Sequence, residues 1–271
     1  MTAPPAPHVQ VSGLSVSLGS RRVLTNLSCA LERGTFVGLI GPNGSGKSTL
    51  LKAIMGLLQS TGSIRLDGED LLAIPHKLRA QRIAYLAQDS EVVWPIAVED
   101  LVMLGRSPHR SGFAPPQAAD VEAVDRAIRE MDLEALRKRS ARELSGGERA
   151  RALISRVLAQ DTPVVLADEP TAGLDPEHQI ALMEVFRRMA RQGRTVLASL
   201  HDLALAAQWC DHLLLLDQGR IVAAGTPEEV LTPDTLASVY RVRAHFGKSD
   251  AGPLVVPIAR LKTIKDTGAS Q

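Results

Sequence analysis

One glycine-rich run constrains the fold of this chain more than any other feature: GPNGSGKST, at positions 41–49. The apolar stretch Phe36–Ile40 directly before it predicts a short buried strand. After it, a helix is expected to open at Ser48. The apolar face of that helix would be formed by Leu50, Leu51, Ile54, Leu57 and Leu58. A strand, a tight glycine loop and a helix in this order match the phosphate-binding pattern G-x-x-x-x-G-K-S/T.

The chemistry of this loop follows from its residue types. Glycines let the backbone fold tightly around a phosphate, and the helix N-terminus adds a partial positive charge. Lys47 would reach the β- and γ-phosphates of a nucleotide, and the Ser48 hydroxyl would ligate Mg²⁺. A glycine-rich turn without a ligand is the alternative, which the flanking strand and helix disfavour, so the sequence predicts binding of a nucleoside triphosphate. The candidate binding residues are Gly41, Pro42, Asn43, Gly44, Ser45, Gly46, Lys47, Ser48 and Thr49.

Composition limits what surrounds the loop. With 271 residues, of which 45% are hydrophobic, the chain can bury one large core or a core and a subdomain. A net charge of +1 and an aromatic content of 3% argue against a nucleic-acid partner. Cys29 and Cys210 are expected as buried thiols in a reducing compartment. Residues 1–7 lack a signal-peptide pattern, and no apolar run approaches the roughly 20 residues of a membrane span, so a soluble cytoplasmic protein is expected.

The pattern of apolar residues predicts three successive regions. The first third is β-rich around one helix, with a bulge at Gly13 where the alternation shifts phase. The middle is helical, with Val121, Val124, Ile128 and Met131 on one helix, and with a loop at residues 107–116. The last third alternates strands and helices, which predicts parallel strands with crossover helices and an antiparallel addition at the sheet edge. The polar tail, residues 262–271, is expected to be disordered.

Two adjacent carboxylates follow an apolar run in the last third. Residues 164–167 predict a buried strand, and Asp168 and Glu169 come directly after it. Ligands bind at the carboxyl ends of strands in parallel sheets. Asp168 would hold Mg²⁺, directly or through water, and Glu169 would address the attacking water. Taken alone, an acidic pair at this position is equally typical of a helix cap.

The run LSGGE at residues 144–148 predicts another helix N-terminus. Ser145 has the residue type of an N-cap, and Gly146 and Gly147 would leave their N–H groups open. Open N–H groups at a helix start form an anion site, so these three residues are candidates for a second phosphate contact. In isolation, a plain helix cap after a loop would be the better explanation of the motif.

These motifs and their order resemble the ATP-binding cassette (ABC) proteins. LSGGE resembles the signature motif, VVLADEP the Walker B motif, and AGLD, which ends at Asp175, the D-loop. Gln88 resembles the Q-loop glutamine, and His201 resembles the switch histidine. The resemblance implies an α/β fold, with a phosphate-loop ABC ATPase core that contains a mixed sheet with an antiparallel β edge, and with an inserted helical subdomain.

The resemblance also implies how the chain is divided and assembled. The core would comprise about residues 8–88 and 160–261, and the helical subdomain about residues 89–159. Two cassettes of the family dimerise head to tail. Each ATP then lies between the Walker motifs of one copy and the signature motif of the other, so Ser145, Gly146 and Gly147 would contact the γ-phosphate bound by a second copy.

Further roles follow from the resemblance residue by residue. Glu169 would be the general base or would position water, and His201 would contact the γ-phosphate and hold Glu169. Gln88 would sense Mg²⁺ and link to a membrane partner, and Asp175 would communicate across the dimer. ATP and Mg²⁺ are the implied ligands. The family usually carries an aromatic residue near Leu18 for adenine, so packing by Leu18 or Val23 is expected here instead.

Some stretches resemble the cassettes of importers for iron-siderophore complexes, haem and cobalamin. The three stretches are residues 98–109, residues 200–203 and residues 225–231, and the first of them ends in GRSPH. This implies an ATP-hydrolysing subunit at the cytoplasmic face of the membrane, coupled to uptake through a separate permease and, indirectly, to a substrate-binding protein. Importers of zinc, manganese or other small solutes share several of these stretches. A non-transport ABC ATPase and a phosphate-loop kinase are further alternatives.

The apolar segment at residues 92–96 follows the candidate Q-loop closely. We expect it to serve as a docking surface for the permease, with Trp94 as a binding hot spot. The alternative is that Trp94 packs inside its own subdomain, because Trp side chains are mostly buried.

Overall fold

The computed structural model describes residues 7–88, 92, 94–112, 114–249 and 252–261. The strands are β1 (Val9–Leu18), β2 (Arg21–Leu31), β3 (Phe36–Ile40), β4 (Thr61–Leu66), β5 (Glu69–Asp70), β6 (Ile83–Leu86), β7 (Val164–Ala167), β8 (Thr195–Ser199), β9 (His212–Asp217), β10 (Arg220–Gly225), β11 (Val242–Ser249) and β12 (Gly252–Arg260). The α-helices are α1 (Lys47–Ile54), α2 (His76–Arg82), α3 (Val98–Met103), α4 (Ala118–Glu130), α5 (Gly146–Gln160), α6 (Pro176–Arg191), α7 (Leu203–Trp209), α8 (Pro227–Val230) and α9 (Pro233–Thr235). Short 3-10 helices cover Leu104–His109, Glu134–Leu136 and Ala141–Glu143, and a π-helix covers Leu236–Tyr240.

A four-stranded antiparallel sheet has the order β2-β1-β4-β5. Alternate residues of β1 point into the core, and the alternation shifts at Gly13, where the register with β2 slips between Val11 and Leu14. Gly13 has a φ of +61°, which a residue without a Cβ adopts at little cost. The predicted bulge is therefore confirmed.

A six-stranded mixed sheet has the order β10-β9-β3-β8-β7-β6. The pairs among β9, β3, β8, β7 and β6 are parallel, and β10 adds antiparallel to β9 at the edge. All five residues of β3 are buried, as expected for a central strand covered on both faces. The predicted mixed sheet with an antiparallel edge is confirmed. The carboxyl ends of β3, β6, β7 and β8 lie along one rim of this sheet, where the candidate site residues follow.

Helices α3, α4 and α5 pack on one another and join the core on one side of the mixed sheet. The apolar face predicted for the helix after Gly146 is buried in full. It consists of Leu153, Ile154, Val157 and Leu158. Ser145 caps α5, and its capping box with Glu148 fixes where the helix begins.

Several local predictions were wrong. Helix α1 ends at Ile54, before Gly56 with its φ of +71°, so Leu57 lies outside the helix and is 60% exposed. Val121 of α4 is exposed, although Val124 and Ile128 are buried as predicted. The predicted loop at residues 107–116 begins inside the 3-10 helix Leu104–His109. Phe113 in that loop and the predicted tail, residues 262–271, lie outside the described residues.

The hairpin of β11 and β12 had no counterpart in the sequence prediction. It forms a separate two-stranded sheet that packs on α7, with Val255 buried against the core. Of the two thiols, Cys210 is buried as predicted, while Cys29 is only partly buried, and burial raises its pKa to about 12. Among the described residues, no helix combines the length and apolar character that crossing a membrane requires.

Candidate functional site

The glycine-rich loop connects β3 to α1 and exposes the start of that helix. Gly46 is the N-cap residue, with a φ of +110° and no side-chain hydrogen bond to the first turn. A Cβ on Gly41 would lie 2.1 Å from the backbone oxygen of Leu216, so only glycine fits there. The Ser45 hydroxyl is buried without a hydrogen-bond partner among the described residues. The open N–H groups of α1 and this hydroxyl are donors that a phosphate could satisfy.

Lys47 supplies the positive charge of the loop. Its Nζ donates to the backbone oxygens of Gly41 at 2.8 Å and Pro42 at 3.2 Å. Burial lowers the pKa of Lys47, and the nearby carboxylates of Glu169 and Asp168 oppose that shift. The ammonium group therefore lies against its own loop, and it would have to exchange these carbonyl contacts for phosphate oxygens.

Asp168 lies at the end of β7 and is 2% exposed. The Ser199 hydroxyl, at the end of β8, donates to its Oδ1 at 2.8 Å, and the Tyr85 hydroxyl donates to its Oδ2 at 3.4 Å. Burial and the Asp168 charge raise the pKa of Tyr85, so its phenol keeps the proton that it donates. These donors hold a buried carboxylate whose oxygens suit a hard divalent cation.

Glu169 is the centre of a hydrogen-bonded group that links three strand ends. Its Oε2 accepts from Gln88 Nε2 at 2.6 Å, and its Oε1 lies 2.5 Å from His201 Nε2. A carboxylate only accepts, so the Nε2 of His201 carries the proton in this contact. The Glu169 N–H donates to the Ser199 hydroxyl at 2.7 Å, in a residue whose φ is +50°. A non-glycine residue in this region is strained, and such strain clusters at functional sites.

A cavity of about 430 Å³ brings many of the predicted residues together, but Gly41, Pro42, Ser45 and Asp168 are not part of its lining. Its lining includes the loop residues with Lys47 and Ser48, together with Gln88, Glu169 and His201. Leu18 and Val23 also line it, as the sequence prediction for the adenine contact requires. Arg21 lines it too, and sequence reasoning missed this residue because an arginine at a strand start carries no recognisable signal.

The signature residues do not line that cavity. The Ser145 N–H donates to Glu148 Oε2 at 2.7 Å, and the Glu148 N–H donates to the Ser145 hydroxyl at 3.3 Å. The N–H groups of Gly146 and Gly147 have no acceptor among the described residues. Gly146 lines a different cavity, of about 370 Å³, which it shares with Gln88 and Glu169. Within one chain, therefore, these residues are absent from the lining of the cavity that contains Lys47.

Asp175 begins α6 and is likewise absent from the lining of the phosphate cavity. Its Oδ1 accepts from the backbone N–H of His178 at 3.0 Å and from His178 Nδ1 at 2.6 Å. These hydrogen bonds lower the pKa of Asp175. The side chain acts as a helix cap in this chain and holds its charge at the surface.

The GRSPH run, which the sequence associates with an importer class, is a packing element. Arg106 is buried, and its Nε donates to Asp120 Oδ1 at 2.9 Å and its Nη1 to the Ala159 oxygen at 2.9 Å. His109 Nε2 lies 2.8 Å from the Gln160 oxygen. These contacts connect the 3-10 helix to α4 and to the end of α5.

Trp94 is 71% exposed, so the alternative that it packs inside its own subdomain is wrong. Val92 and Ile96 are partly buried against the core and hold the segment in place. Val93 lies outside the described residues. The segment thus presents a large apolar side chain to solvent.

Comparison with known proteins agrees with this fold and site. The family model described as ABC transporter matches residues 24–172. The chain is 42% identical over 245 residues to the cobalamin import ATP-binding protein of Halobacterium salinarum. This alignment covers 90% of this chain and 61% of that protein. It is 45% identical over 240 residues to the hemin import ATP-binding protein of Pseudomonas entomophila. This second alignment covers 86% of this chain and 92% of that protein. A solved metal-chelate type ABC transporter in an inward-facing conformation superimposes with a TM-score of 0.80 at 25% identity, covering 94% of this chain and 98% of that one.

The fold and the motifs define an ABC cassette, and the chain belongs to the ABC transporter family. It spans 61% of the length of the halobacterial relative and 92% of the length of the Pseudomonas relative.

Proposed function

We propose that this chain is the ATP-hydrolysing subunit of an ABC importer. It would act at the cytoplasmic face of the cell membrane and couple ATP hydrolysis to uptake of an iron-siderophore, haem or cobalamin type substrate through a separate permease. One observation carries the proposal: the Glu169 carboxylate, held by Gln88 and His201, shares a cavity with Lys47 of the phosphate loop. A candidate base and a phosphate cradle face the same space.

The loop would bind the triphosphate. Lys47 and the open N–H groups of α1 would contact the β- and γ-phosphates, and the Ser45 hydroxyl would gain the acceptor that it lacks. Among the described residues no group of three or more His, Cys, Asp or Glu side chains converges on a metal site. Mg²⁺ is held in proteins by one or two carboxylates together with substrate phosphates, which fits Asp168 with Ser48 and Gln88. When bound, the ion would neutralise charge on the phosphates.

Glu169 would take the proton of the attacking water. Both of its carboxylate oxygens already accept one hydrogen bond in this structure, so water would compete for the remaining lone pairs unless one of these contacts opens. His201 is half exposed, and it could exchange Glu169 for the γ-phosphate without leaving the cavity. In this exchange the Nε2–H of His201 would donate its hydrogen bond to a phosphate oxygen instead of to Glu169. Glu169 Oε1 would then be free to accept a hydrogen bond from water.

The site would be completed by a second copy of the chain in a head-to-tail dimer. A phosphate cradled by Lys47 needs donors on its far side, and Gly146 and Gly147 offer N–H groups that have no acceptor in the part of the chain that the structure describes. Ser145 would join them, and Asp175 would lie at the same interface. This arrangement would explain why the signature segment has open donors although it does not line the cavity that contains Lys47.

The permease is the other proposed partner. The cavity that Gly146 shares with Gln88 and Glu169 is lined mainly by apolar residues. The exposed side chain of Trp94 follows Gln88 closely along the chain. A partner seated there would touch the residues that hold the candidate base. The names of the relatives, cobalamin import and hemin import, support a metal-chelate substrate. A separate substrate-binding protein would deliver that substrate to the permease. Copurification with the permease, followed by mass spectrometry of the retained ligand, tests that substrate class.

Replacing Glu169 by Gln tests the catalytic proposal. Glu169→Gln keeps the shape and the phosphate loop but removes the proton acceptor, so the ATPase rate should fall by at least about 100-fold. ATP affinity should stay within about threefold, and an ATP-bound dimer should accumulate in size-exclusion chromatography. Glu122→Gln, at an exposed position of α4, is the matched control and should hydrolyse ATP like the wild type. Near wild-type turnover by Glu169→Gln would remove Glu169 from the catalytic role.

A further inference from the structure

The end of the nucleotide cavity away from Lys47 is formed by the hairpin of β1 and β2. Leu18, the last residue of β1, pairs with Arg21, the first residue of β2. Leu18 is 49% exposed, and Arg21 is exposed as well. Together with Val23 they complete a lining that otherwise belongs to the phosphate loop and the catalytic group. A nucleotide whose phosphates lie on Lys47 would therefore direct its nucleoside toward this hairpin.

This part of the cavity lacks an aromatic side chain. No Phe, Tyr or Trp is among the described residues that line it. The imidazole of His201 and the amide of Gln88 are planar, but both are held by Glu169 at the phosphate end. The guanidinium of Arg21 is the planar group on the hairpin side, and it has no ion pair or hydrogen bond among the described residues.

We propose that the Arg21 guanidinium stacks on the nucleobase and is the main contact to the base at this end of the site. The proposal rests on the nucleotide binding proposed above. A guanidinium is planar and weakly hydrated and stacks on π-systems, whereas a lysine ammonium does not. Stacking uses the face of the base, which every base has, so the site should discriminate poorly between adenine and guanine.

The neighbouring Arg22 provides a matched comparison. Arg22 pairs with Ser17 on the opposite strand and lines only a smaller cavity of about 260 Å³ beside the loop, whereas Arg21 lines both cavities. The two residues carry the same charge at adjacent positions of β2. A general electrostatic effect of a cation near the phosphates would appear at both positions, and a stacking contact would appear only at Arg21.

The test is calorimetric binding of Mg·ADP, Mg·GDP and Mg·pyrophosphate to the full-length chain, because none of the three requires hydrolysis. Arg21→Lys keeps the charge and removes the planar group. It should weaken ADP binding by about two- to fivefold and leave pyrophosphate binding unchanged. Arg22→Lys should change neither. Wild-type affinity for GDP should lie within about threefold of that for ADP.

A second variant checks that the loss comes from stacking. Leu18→Tyr, added to Arg21→Lys, supplies an aromatic face beside the same position and should recover ADP affinity without changing pyrophosphate affinity. Equal ADP affinity in Arg21→Lys and the wild type would overturn the proposal. So would parallel losses for ADP and pyrophosphate, which would assign Arg21 to the phosphates. Failure of the wild type to bind ADP at all would instead contradict the proposed function.

Discussion

Two helices of this chain begin with glycine-rich segments, and their N-termini differ in what surrounds them. Helix α1 starts beside Lys47, in a cavity that also contains Gln88, Glu169 and His201. Helix α5 starts at Gly146, which lines the cavity of about 370 Å³ with Gln88 and Glu169 but without Lys47, and the carboxylate of Glu148 already accepts a hydrogen bond from the cap residue of α5. At α1 a glycine-rich loop with its own lysine surrounds the helix start, whereas at α5 the open donors have no such loop, and Arg149 of the same helix lines their cavity.

The difference shows that a helix N-terminus alone does not make a phosphate site. The partial charge of a helix end is worth about 0.3–1 kcal/mol at an exposed position, too little to bind a nucleotide alone. Lys47 and the loop geometry add the charge and the shape at α1. At α5 the same backbone chemistry becomes useful only when a phosphate bound elsewhere is brought to it, which is the role proposed for the dimer.

Removing the charge at α1 should have the largest effect. Lys47→Ala deletes the cation of the loop, and we expect ATP affinity to fall by at least about 100-fold, because truncating one partner of a buried charge contact costs about 2–5 kcal/mol. Equilibrium titration with a fluorescent ATP analogue measures this loss. Lys52→Ala, at an exposed position of the same helix, should bind like the wild type. Unchanged affinity in Lys47→Ala would contradict the phosphate-loop assignment.

Substitutions that break the packing of the helices around α5 should lower the free energy of unfolding more than they lower the ATPase rate. Arg106→Ala leaves the buried Asp120 carboxylate without its partner and should lower the free energy of unfolding by about 3–5 kcal/mol. Arg126→Ala removes an exposed contact with Asp161 at 3.5 Å and should cost less than about 1 kcal/mol. Urea denaturation of the two variants checks the contrast. Equal losses would mean that the GRSPH run does not organise the packing of this segment.

Trp94 should show the smallest effect on the isolated chain. Its side chain is 71% exposed, so Trp94→Ala should change the free energy of unfolding by less than about 0.5 kcal/mol and leave basal ATPase activity intact. The variant should assemble less tightly with the permease, which co-elution of the two proteins in detergent solution measures. Full assembly and coupled transport by Trp94→Ala would contradict the docking proposal, and a large loss of stability would show that the residue supports the fold.

The elements of the core were predictable from the sequence because their periodicity is strong. Strand β7 has the predicted bounds, Val164–Ala167, since it lies between Pro163 and the polar pair that begins at Asp168. The hairpin of β11 and β12 was not predicted, because Pro253 and Pro257 argue against a strand. Proline is nevertheless tolerated in strands of a sheet that has only edges.

The contacts of the candidate site depended on sheet order, which spacing along the chain does not reveal. Gln88, Glu169 and His201 follow β6, β7 and β8, and these strands are neighbours in the sheet. That adjacency brings side chains 81 and 32 positions apart into one hydrogen-bonded group. Their roles were inferred from the resemblance to ABC proteins, while the left-handed backbone of Glu169 and the position of Arg21 came only from the structure.

The central claim is that a complete site needs donors from two chains, and mixing two inactive variants tests it most directly. Lys47→Ala retains the signature segment, and Ser145→Arg retains the phosphate loop. Each alone should be inactive. With differently tagged chains mixed equally and mixed dimers confirmed by pull-down, about a quarter of wild-type ATPase activity should return, because half of random dimers are mixed and each holds one intact site of two. Absence of any recovery in proven mixed dimers would show instead that the site is complete within a single chain.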